Sequence, residues 1–200
     1  MTTYYHIYSS GLEAVSMEQE AYTIARQTWL CTGCLYPKPG HGPIDATLED
    51  FSPGDWSMSF VNGCGLPIAR KDMLACFGDA RVRQDLQLGR VVGPDGTPFE
   101  EWVTFRGRHK IIVRGTKNVA FRQCEECGRN IYFAMGSRYL YPDPPLGSVL
   151  LESDLLGLVM PEYVFDEVDI RRWKGLAVNR LPVLSKPKDG LVELISFQSI

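Results

Sequence analysis

Two cysteine motifs organise this sequence, and they read Cys31-Thr32-Gly33-Cys34 and Cys124-Glu125-Glu126-Cys127-Gly128. Two residues between cysteines let one tight turn present both thiolates to a single ion, and Zn²⁺ prefers four such ligands in a tetrahedron. The glycines suit these turns because glycine accepts a positive φ and close backbone approach. The motifs therefore predict a structural zinc site whose ligands are Cys31, Cys34, Cys124 and Cys127.

The motifs lie much farther apart than the roughly 15–20 residues typical of paired zinc knuckles. Strand-like residues flank them, Trp29-Leu30 before the first and Ile131-Tyr132-Phe133 after the second. This layout predicts a zinc-ribbon-like knuckle pair with a long insertion. Two alternatives remain, namely a redox-active cysteine pair and cysteines that are merely buried. Cys64 and Cys76 are predicted to be core thiols, and His41 a loop histidine rather than a ligand.

The composition is that of a globular protein. The 200 residues are 44% hydrophobic and 11% aromatic, which excludes a disordered chain. Nineteen glycines and 13 prolines predict many turns and few long helices. We therefore predict an α+β fold with mixed or antiparallel sheets and a few short helices. It would form one zinc-stapled domain over 1–200, alternatively organised as two lobes, 1–100 and 101–200, bridged by the metal site.

The N-terminal sequence indicates no export signal, because the first basic residue is Arg26. Apolar stretches are also too short for a membrane span, which needs about 20 residues. We expect a soluble, cytoplasmic protein without membrane contact. Thiols stay reduced in that compartment, where cysteine pairs more often hold metal than form disulfides.

Local patterns predict several elements. Predicted strands are Tyr4–Tyr8, Trp56–Val61, Val119–Arg122, Asn130–Ala134, Val149–Glu152 and Leu191–Phe197. Helical spacing of apolar residues predicts helices over Ile68–Phe77 and Val164–Trp173. Tyr22–Leu30 is predicted to be extended, and the glycine- and proline-rich segment Tyr36–Asp55 to be an irregular loop.

Two segments share a pattern of strand end, helix and return strand. The first runs from Gly65-Leu66-Pro67 to Leu88-Gly89-Arg90-Val91, and the second from Leu158-Val159-Met160-Pro161 to Asn179-Arg180-Leu181-Pro182-Val183. The pattern is consistent with an internal duplication, although α+β proteins also reuse such units without one.

Charge is distributed unevenly although the formal net charge is only −3. Basic residues predominate over Thr104–Arg138, whereas Tyr139–Ile170 contains acids but neither Lys nor Arg. The two segments either pair with each other or present a charged docking surface. The acidic balance argues against a protein whose main task is binding nucleic acid.

The sequence lacks the motifs of the common catalytic sites, including a nucleophile elbow, a phosphate-binding glycine loop and His-Glu-x-x-His. The acids Asp166, Glu167 and Asp169 are better explained as a solvated helix face or docking patch than as a catalytic set. We therefore expect no enzymatic activity and no small-molecule substrate.

The chain resembles the double-CXXCG motif family of myxobacterial proteins. The resemblance rests on Trp29-Leu30-Cys31-Thr32-Gly33-Cys34, on Cys124-Glu125-Glu126-Cys127-Gly128-Arg129, and on Leu151-Glu152-Ser153-Asp154-Leu155-Leu156 followed by a helix and a return strand. One difference is Leu35, which stands where the pattern has glycine. The resemblance implies a cytoplasmic immunity protein that inhibits a Sit-type polymorphic toxin exchanged between neighbouring cells.

An immunity protein needs a complementary, partly aromatic surface for its toxin. The acidic segment is the candidate, with partner-binding residues Asp154, Glu162, Tyr163, Asp166, Glu167, Asp169 and Trp173. The alternative function is a zinc-ribbon nucleic-acid-binding or transcription-associated module, which would use Arg106, Arg108, Lys110, Arg114 and Lys117. A redox enzyme is the third possibility.

Overall fold

A computed structural model describes residues 3–10, 15–52, 54–141, 147–185 and 191–192. Its helices are α1 (Gln19–Thr28), α2 (Lys71–Ala75), α3 (Asp79–Asp85) and α4 (Glu162–Asp166), with a 3-10 turn at Ile170–Arg172. The strands are β1 (Thr3–Ser9), β2 (Ser16–Met17), β3 (Ala46–Glu49), β4 (Met58–Val61), β5 (Leu66–Arg70), β6 (Leu86–Val92), β7 (Pro98–Gly107), β8 (Lys110–Ile111), β9 (Val113–Gln123), β10 (Asn130–Leu140), β11 (Leu151–Ser153), β12 (Leu158–Pro161), β13 (Leu176–Pro182) and β14 (Leu191–Val192). The α+β class with mixed sheets and short helices is confirmed.

The first half of the chain folds into a sheet that nearly closes on itself. Its strands lie in the order β2-β3-β6-β7-β5-β4. Val15, just before β2, bridges to Val61 at the opposite edge, donating its N–H to Phe60 O at 3.1 Å and accepting from Asn62 N at 2.7 Å. Alternate residues along the strands enter different cores, since Ile68 belongs to the core of this sheet and its neighbour Ala69 to a central core.

The second half of the chain is also built from hydrogen-bonded sheets. One sheet has the order β13-β1-β12-β11-β8, and β10 pairs with β9 in another. A parallel bridge from Leu140, at the end of β10, to Val183, just after β13, links the two sheets. A separate core fills this half, formed by Ile111, Val113, Leu140, Leu151, Val159 and Leu181.

The two halves repeat one topology. In the first, β5 and β6 flank the antiparallel strand β7, and in the second, β12 and β13 flank the antiparallel strand β1. Hairpins β4–β5 and β11–β12 are equivalent, and each leads directly into a short helix, α2 or α4. We define repeat 1 as residues 3–92 and repeat 2 as residues 98–183. The first strand of each repeat therefore lies in the sheet of the other.

A shared core joins the repeats. Both exchanged strands contribute to it, through Ile7 of β1 and Phe105 of β7, each fully buried. The helices α2 and α4 also contribute from equivalent positions, through Met73 and Val164. Because strands and this central core are shared, each half depends on the other for part of its hydrophobic interior. Burial of these apolar side chains stabilises the pairing of the repeats.

Several predicted elements are confirmed in place, including the strands over Tyr4–Tyr8, Asn130–Ala134 and Val119–Arg122, and approximately those over Trp56–Val61 and Val149–Glu152. Of the predicted strand over Leu191–Phe197, residues 191–192 form β14 and the remainder lies outside the described residues. None of the helices in the described ranges is long and apolar enough to cross a membrane.

Other expectations were wrong. The helix expected over Ile68–Phe77 begins only at Lys71, because the preceding residues form β5, which is buried on both faces and so lacks strand alternation. The helix expected over Val164–Trp173 is split into α4 and the 3-10 turn.

The chain before and after the first motif also differs from expectation. Tyr22–Leu30 was predicted to be extended but falls largely within α1, where Glu18 caps the helix by accepting from Glu20 N and Ala21 N. The loop expected over Tyr36–Asp55 contains β3, whose pairing with β6 supplies partners that local sequence does not reveal.

Gly89 tests how closely strand β6 packs against Ile44 and Thr104. An added Cβ would lie 2.1 Å from Ile44 O and 2.5 Å from Thr104 Oγ1. Replacement Gly89→Ala should lower the free energy of unfolding by about 3 kcal/mol, because backbone must move. Gly42→Ala is the control, since its Cβ meets no atom within 4 Å. Equal urea-unfolding curves for the two variants would contradict the packing described.

Candidate metal centre

Each cysteine knuckle lies, in chain order, between the first strand of its repeat and the hairpin that leads into its short helix. The first follows α1 and precedes β3, and the second connects β9 to β10. The same two hydrogen bonds close each turn. Cys31 N donates to Tyr36 O at 2.9 Å and Leu35 N to Cys31 O at 2.8 Å. In the second knuckle, Cys124 N donates to Arg129 O and Gly128 N to Cys124 O, both at 2.8 Å.

The leucine that replaces glycine in the first motif does not change the turn. Leu35 has a φ of 59° and Gly128, at the equivalent position, a φ of 69°. A left-handed conformation is unfavourable for leucine by roughly 1–2 kcal/mol. The rest of the knuckle must therefore hold Leu35 in this conformation.

The knuckles bring four sulfur atoms together. Cys31 Sγ lies 3.5 Å from Cys124 Sγ, and Cys34 Sγ lies 3.6 Å from Cys127 Sγ. All four Sγ atoms lie within 4.8 Å of one another. Tetrahedral coordination with a Zn–S bond of about 2.3 Å requires sulfurs about 3.8 Å apart, so the cluster has the dimensions of a four-thiolate metal site. The predicted grouping of Cys31, Cys34, Cys124 and Cys127 is confirmed, and such a cluster could hold a metal ion.

Burial makes the thiols of the first knuckle difficult to ionise in the absence of a cation. It raises the pKa of Cys34 to about 12 and also raises that of Cys31. In the second knuckle, hydrogen bonding from Cys127 N lowers the pKa of Cys124 to about 7. A bound cation would favour the thiolates and displace the thiol protons, so metal binding should release protons.

Glu126 connects the two knuckles. Its carboxylate accepts hydrogen bonds from the Thr32 hydroxyl and, at 3.0 Å, from Gly33 N. Glycine at position 33 lets the two knuckles approach closely, since an added Cβ would lie only 3.0 Å from Cys124 Sγ. Sequence analysis did not identify Glu126, because its partners lie on the other knuckle. In the sequence, the one indication of such a role was that an acidic residue stands between the two cysteines of the second motif.

A stacked pair lies next to the cluster. The Arg129 guanidinium carbon lies 3.6 Å from the centroid of the Tyr36 ring. The two residues occupy equivalent positions, each two residues after the last cysteine of its knuckle. The stacking adds to the contact that Glu126 makes between the knuckles, and cation–π contacts of this kind contribute about 0.5–2 kcal/mol.

The proposed partner-binding residues differ in their exposure. Tyr163, Asp166 and Asp169 are exposed on or after α4, and Tyr163 is 56% accessible. Glu167 pairs with Arg81, and Glu162 accepts from Tyr5 Oη at 3.4 Å. Trp173 is half-buried.

Asp154 is separate from this group. Asp154 is half-buried beside the second knuckle, where its carboxyl group accepts from Val113 N at 3.0 Å. Burial raises the pKa of this carboxyl group to about 7.

The oppositely charged segments interact in part inside the protein. Glu152 is buried and pairs with buried Arg106 at 3.3 Å and with Lys110 at 2.8 Å. Of the expected nucleic-acid-binding set, Arg108 is exposed. Arg114 lies 5.6 Å from the Tyr141 ring centroid. Two of the basic residues therefore already have an internal carboxylate partner.

The remaining cysteines and His41 lie outside the cluster. Cys64 is fully buried, as expected of a core thiol. Cys76 is half-buried and packs against the edge of the central core, and Arg172 donates to its sulfur at 2.6 Å. Among the residues that the structure describes, the cluster contains the four knuckle cysteines without His41.

Metal content tests the cluster directly. We expect one zinc per chain by elemental analysis, because four protein thiolates complete a tetrahedral site. Cys124→Ser should lose the ion and lower the free energy of unfolding by at least about 3 kcal/mol, since metal binding is coupled to folding. Cys76→Ser, the control, should retain zinc. A chelator-treated protein with unchanged melting temperature would argue against the metal's structural role.

The second knuckle permits a test of backbone conformation. Gly128→Ala should cost about 1 kcal/mol, because alanine is strained at positive φ. No clash contributes, since an added Cβ meets no atom within 4 Å. The same Gly42→Ala control should leave the unfolding free energy within about 0.5 kcal/mol of the parent. Indistinguishable calorimetric scans for the two variants would refute the strained conformation.

Comparisons of this chain with protein-family models, curated proteins and solved structures produced no match.

Proposed function

We propose that this chain is a non-catalytic immunity protein that binds and neutralises a cognate protein toxin, with a structural zinc ion joining its two repeats. The convergence of four thiols from separate repeats is the observation that carries this proposal. A four-thiolate site leaves no coordination position for substrate or water, so the ion would serve structure rather than catalysis.

A structural role also fits the surroundings of the sulfurs. Cys31 and Cys124 are buried, and Cys34 and Cys127 are half-buried. Glu126 and the Tyr36–Arg129 stack join the knuckles independently of the ion. This arrangement favours a rigid centre that holds the repeats in register. A rigid binding protein loses less conformational entropy on association, which favours tight inhibition.

The exposed acidic group around α4 is the candidate toxin-binding surface. Tyr163 offers a large amphipathic side chain, and Asp166 and Asp169, which lie near it in sequence, form no ion pair with the residues that the structure describes. Aromatic residues often dominate binding energy, and carboxylates accelerate association with a basic partner. Basic clefts are common in nucleases, so a nuclease toxin would suit this surface.

The nucleic-acid-binding alternative has weaker support. Arg106 and Lys110 pair with Glu152, which reduces the positive charge available to phosphates. A gel-shift assay with mixed DNA and RNA at low salt distinguishes the two functions. Saturable, salt-sensitive binding would favour the nucleic-acid module. For the immunity function, we expect action in the cytoplasm, where the thiols stay reduced.

Binding to the protein encoded by the adjacent reading frame tests the proposed function. The zinc-loaded chain should bind that protein and abolish its toxicity on co-expression. Asp166→Lys/Asp169→Lys should weaken binding by at least about tenfold, because two favourable charge interactions become repulsive. Isothermal titration calorimetry would measure the dissociation constants.

A matched charge reversal controls for net charge. Glu20→Lys/Glu49→Lys makes the same charge change at exposed positions outside α4. It should bind the toxin like the parent chain. Equal dissociation constants for the two double variants would reject the α4 surface, while lack of both binding and protection would reject the immunity function with this partner.

A further inference from the structure

A cavity of about 290 Å³ lies beside the second knuckle. Its apolar walls come from Pro37, Pro39, Ile111 and Ile112. Its remaining lining residues are Lys110, Cys127, Gly128, Arg129 and Asp154. The cavity therefore combines an apolar wall with two cations and one acid, the composition of a small-ligand site.

The cavity wall has more hydrogen-bond donors to spare than acceptors. Lys110 carries three N–H donors and uses one on Glu152, at 2.8 Å. Arg129 carries five and donates one to Asp154 O at 3.2 Å. Asp154 uses one carboxylate oxygen to accept from Val113 N. A ligand that mainly accepts hydrogen bonds would match this wall.

Asp154 does not oppose such a ligand as strongly as an exposed carboxylate would. Burial raises the pKa of its carboxyl group to about 7, so a large fraction is neutral near neutral pH. A neutral carboxyl group can donate its O–H to a bound carboxylate. Lys110 and Arg129 then supply the remaining donors.

At the position where the first knuckle has leucine, the second knuckle has a glycine that lines the cavity. Gly128 lines it, and a Cβ added there meets no atom within 4 Å. The equivalent residue in the first knuckle is Leu35, with nearly the same φ. A leucine can therefore adopt this backbone conformation, and in the second repeat its side chain would have space to occupy.

We propose that this cavity binds a carboxylate carried on a small aliphatic body. The carboxylate would accept hydrogen bonds from Lys110 and Arg129, and the aliphatic body would pack against Ile111, Ile112 and the two prolines. The ligand is either a free branched-chain acid or the C-terminal residue of a polypeptide. This inference is independent of toxin binding at α4.

The probes are 4-methylpentanoate, its amide and 3-methylbutylamine, each titrated into the zinc-loaded full chain. Methyl NMR of isoleucine would report binding at Ile111 and Ile112. The acid should bind at least about tenfold more tightly than either other probe, because only the acid offers a charged acceptor. Tighter binding of the amine or amide, or no binding of the acid, would overturn the proposal.

Charge variants of the cavity residues distinguish a carboxylate ligand from a cationic ligand. Asp154→Asn removes the remaining negative charge while keeping an acceptor for Val113 N, so it should tighten binding of the acid by about twofold at pH 7 and by more at higher pH. Arg129→Gln should weaken it about tenfold, whereas Arg83→Gln, on the exposed surface of α3, should not. Weaker binding to Asp154→Asn, or equal binding to both arginine variants, would count against a carboxylate ligand.

Blocking the cavity provides a readout independent of charge. Gly128→Leu should abolish binding of 4-methylpentanoate while zinc content stays at the parent value. Retained binding in a zinc-loaded Gly128→Leu chain would show that the acid binds elsewhere and would refute the site. The peptide Gly-Gly-Leu, with a free or amidated C-terminus, identifies the source. Tighter binding of the free peptide than of the acid supports a polypeptide C-terminus, and weaker binding supports a free acid.

Discussion

The structure depends on the convergence of four thiols contributed in pairs by two distant turns. Neither knuckle alone provides a complete tetrahedral set, so an ion bound by all four must join the repeats. The resulting closed loop spans about half the chain, and crosslinking such a loop restricts the unfolded state. Equivalent cysteines approach each other, Cys31 with Cys124 and Cys34 with Cys127. The site therefore lies where the two repeats meet through equivalent elements.

The exchange of first strands makes the repeats mutually dependent. Strand β1 completes the sheet of repeat 2, and β7 completes that of repeat 1. Their buried faces meet in one shared core through Ile7 and Phe105. Loss of the ion would leave these apolar contacts in place, while loss of either strand would remove core and sheet partners together. A metal ion bound by the four thiols and the shared core would thus stabilise the same interface by different physical means.

The repeats differ in the side chains at equivalent positions of their knuckles. Leu35 and Gly128 close equivalent turns with the same hydrogen bonds, and Gly128 lines a cavity with space at its Cβ position. Tyr36 and Arg129 are also equivalent and stack on each other. Glu126 reaches across the interface to the first knuckle, while its counterpart, Gly33, has no side chain to reciprocate. These differences create an asymmetric site on a repeated framework.

The sequence by itself determined the four cysteines that form the cluster, the α+β class and several strands. Cysteine spacing and local alternation depend on neighbouring residues, so Cys31, Cys34, Cys124 and Cys127 could be identified without a structure. The paired strand, helix and return-strand pattern also indicated the repeated unit. The start of α2 was misplaced because β5 is buried on both faces, and such a strand lacks the alternation that distinguishes it from a helix.

Only the tertiary structure decided the strand exchange, the role of Glu126 and the fate of the charged segments. Glu152 and Asp154 belonged to an acidic stretch in sequence, but the fold buries Glu152 against Arg106 and Lys110 and half-buries Asp154 beside the knuckle. Their partners lie tens of residues away, and pairings at that distance depend on how the sheets assemble rather than on local pattern. The sequence thus specified which groups could bind a metal, and the packing of the repeats decided which other groups surround it.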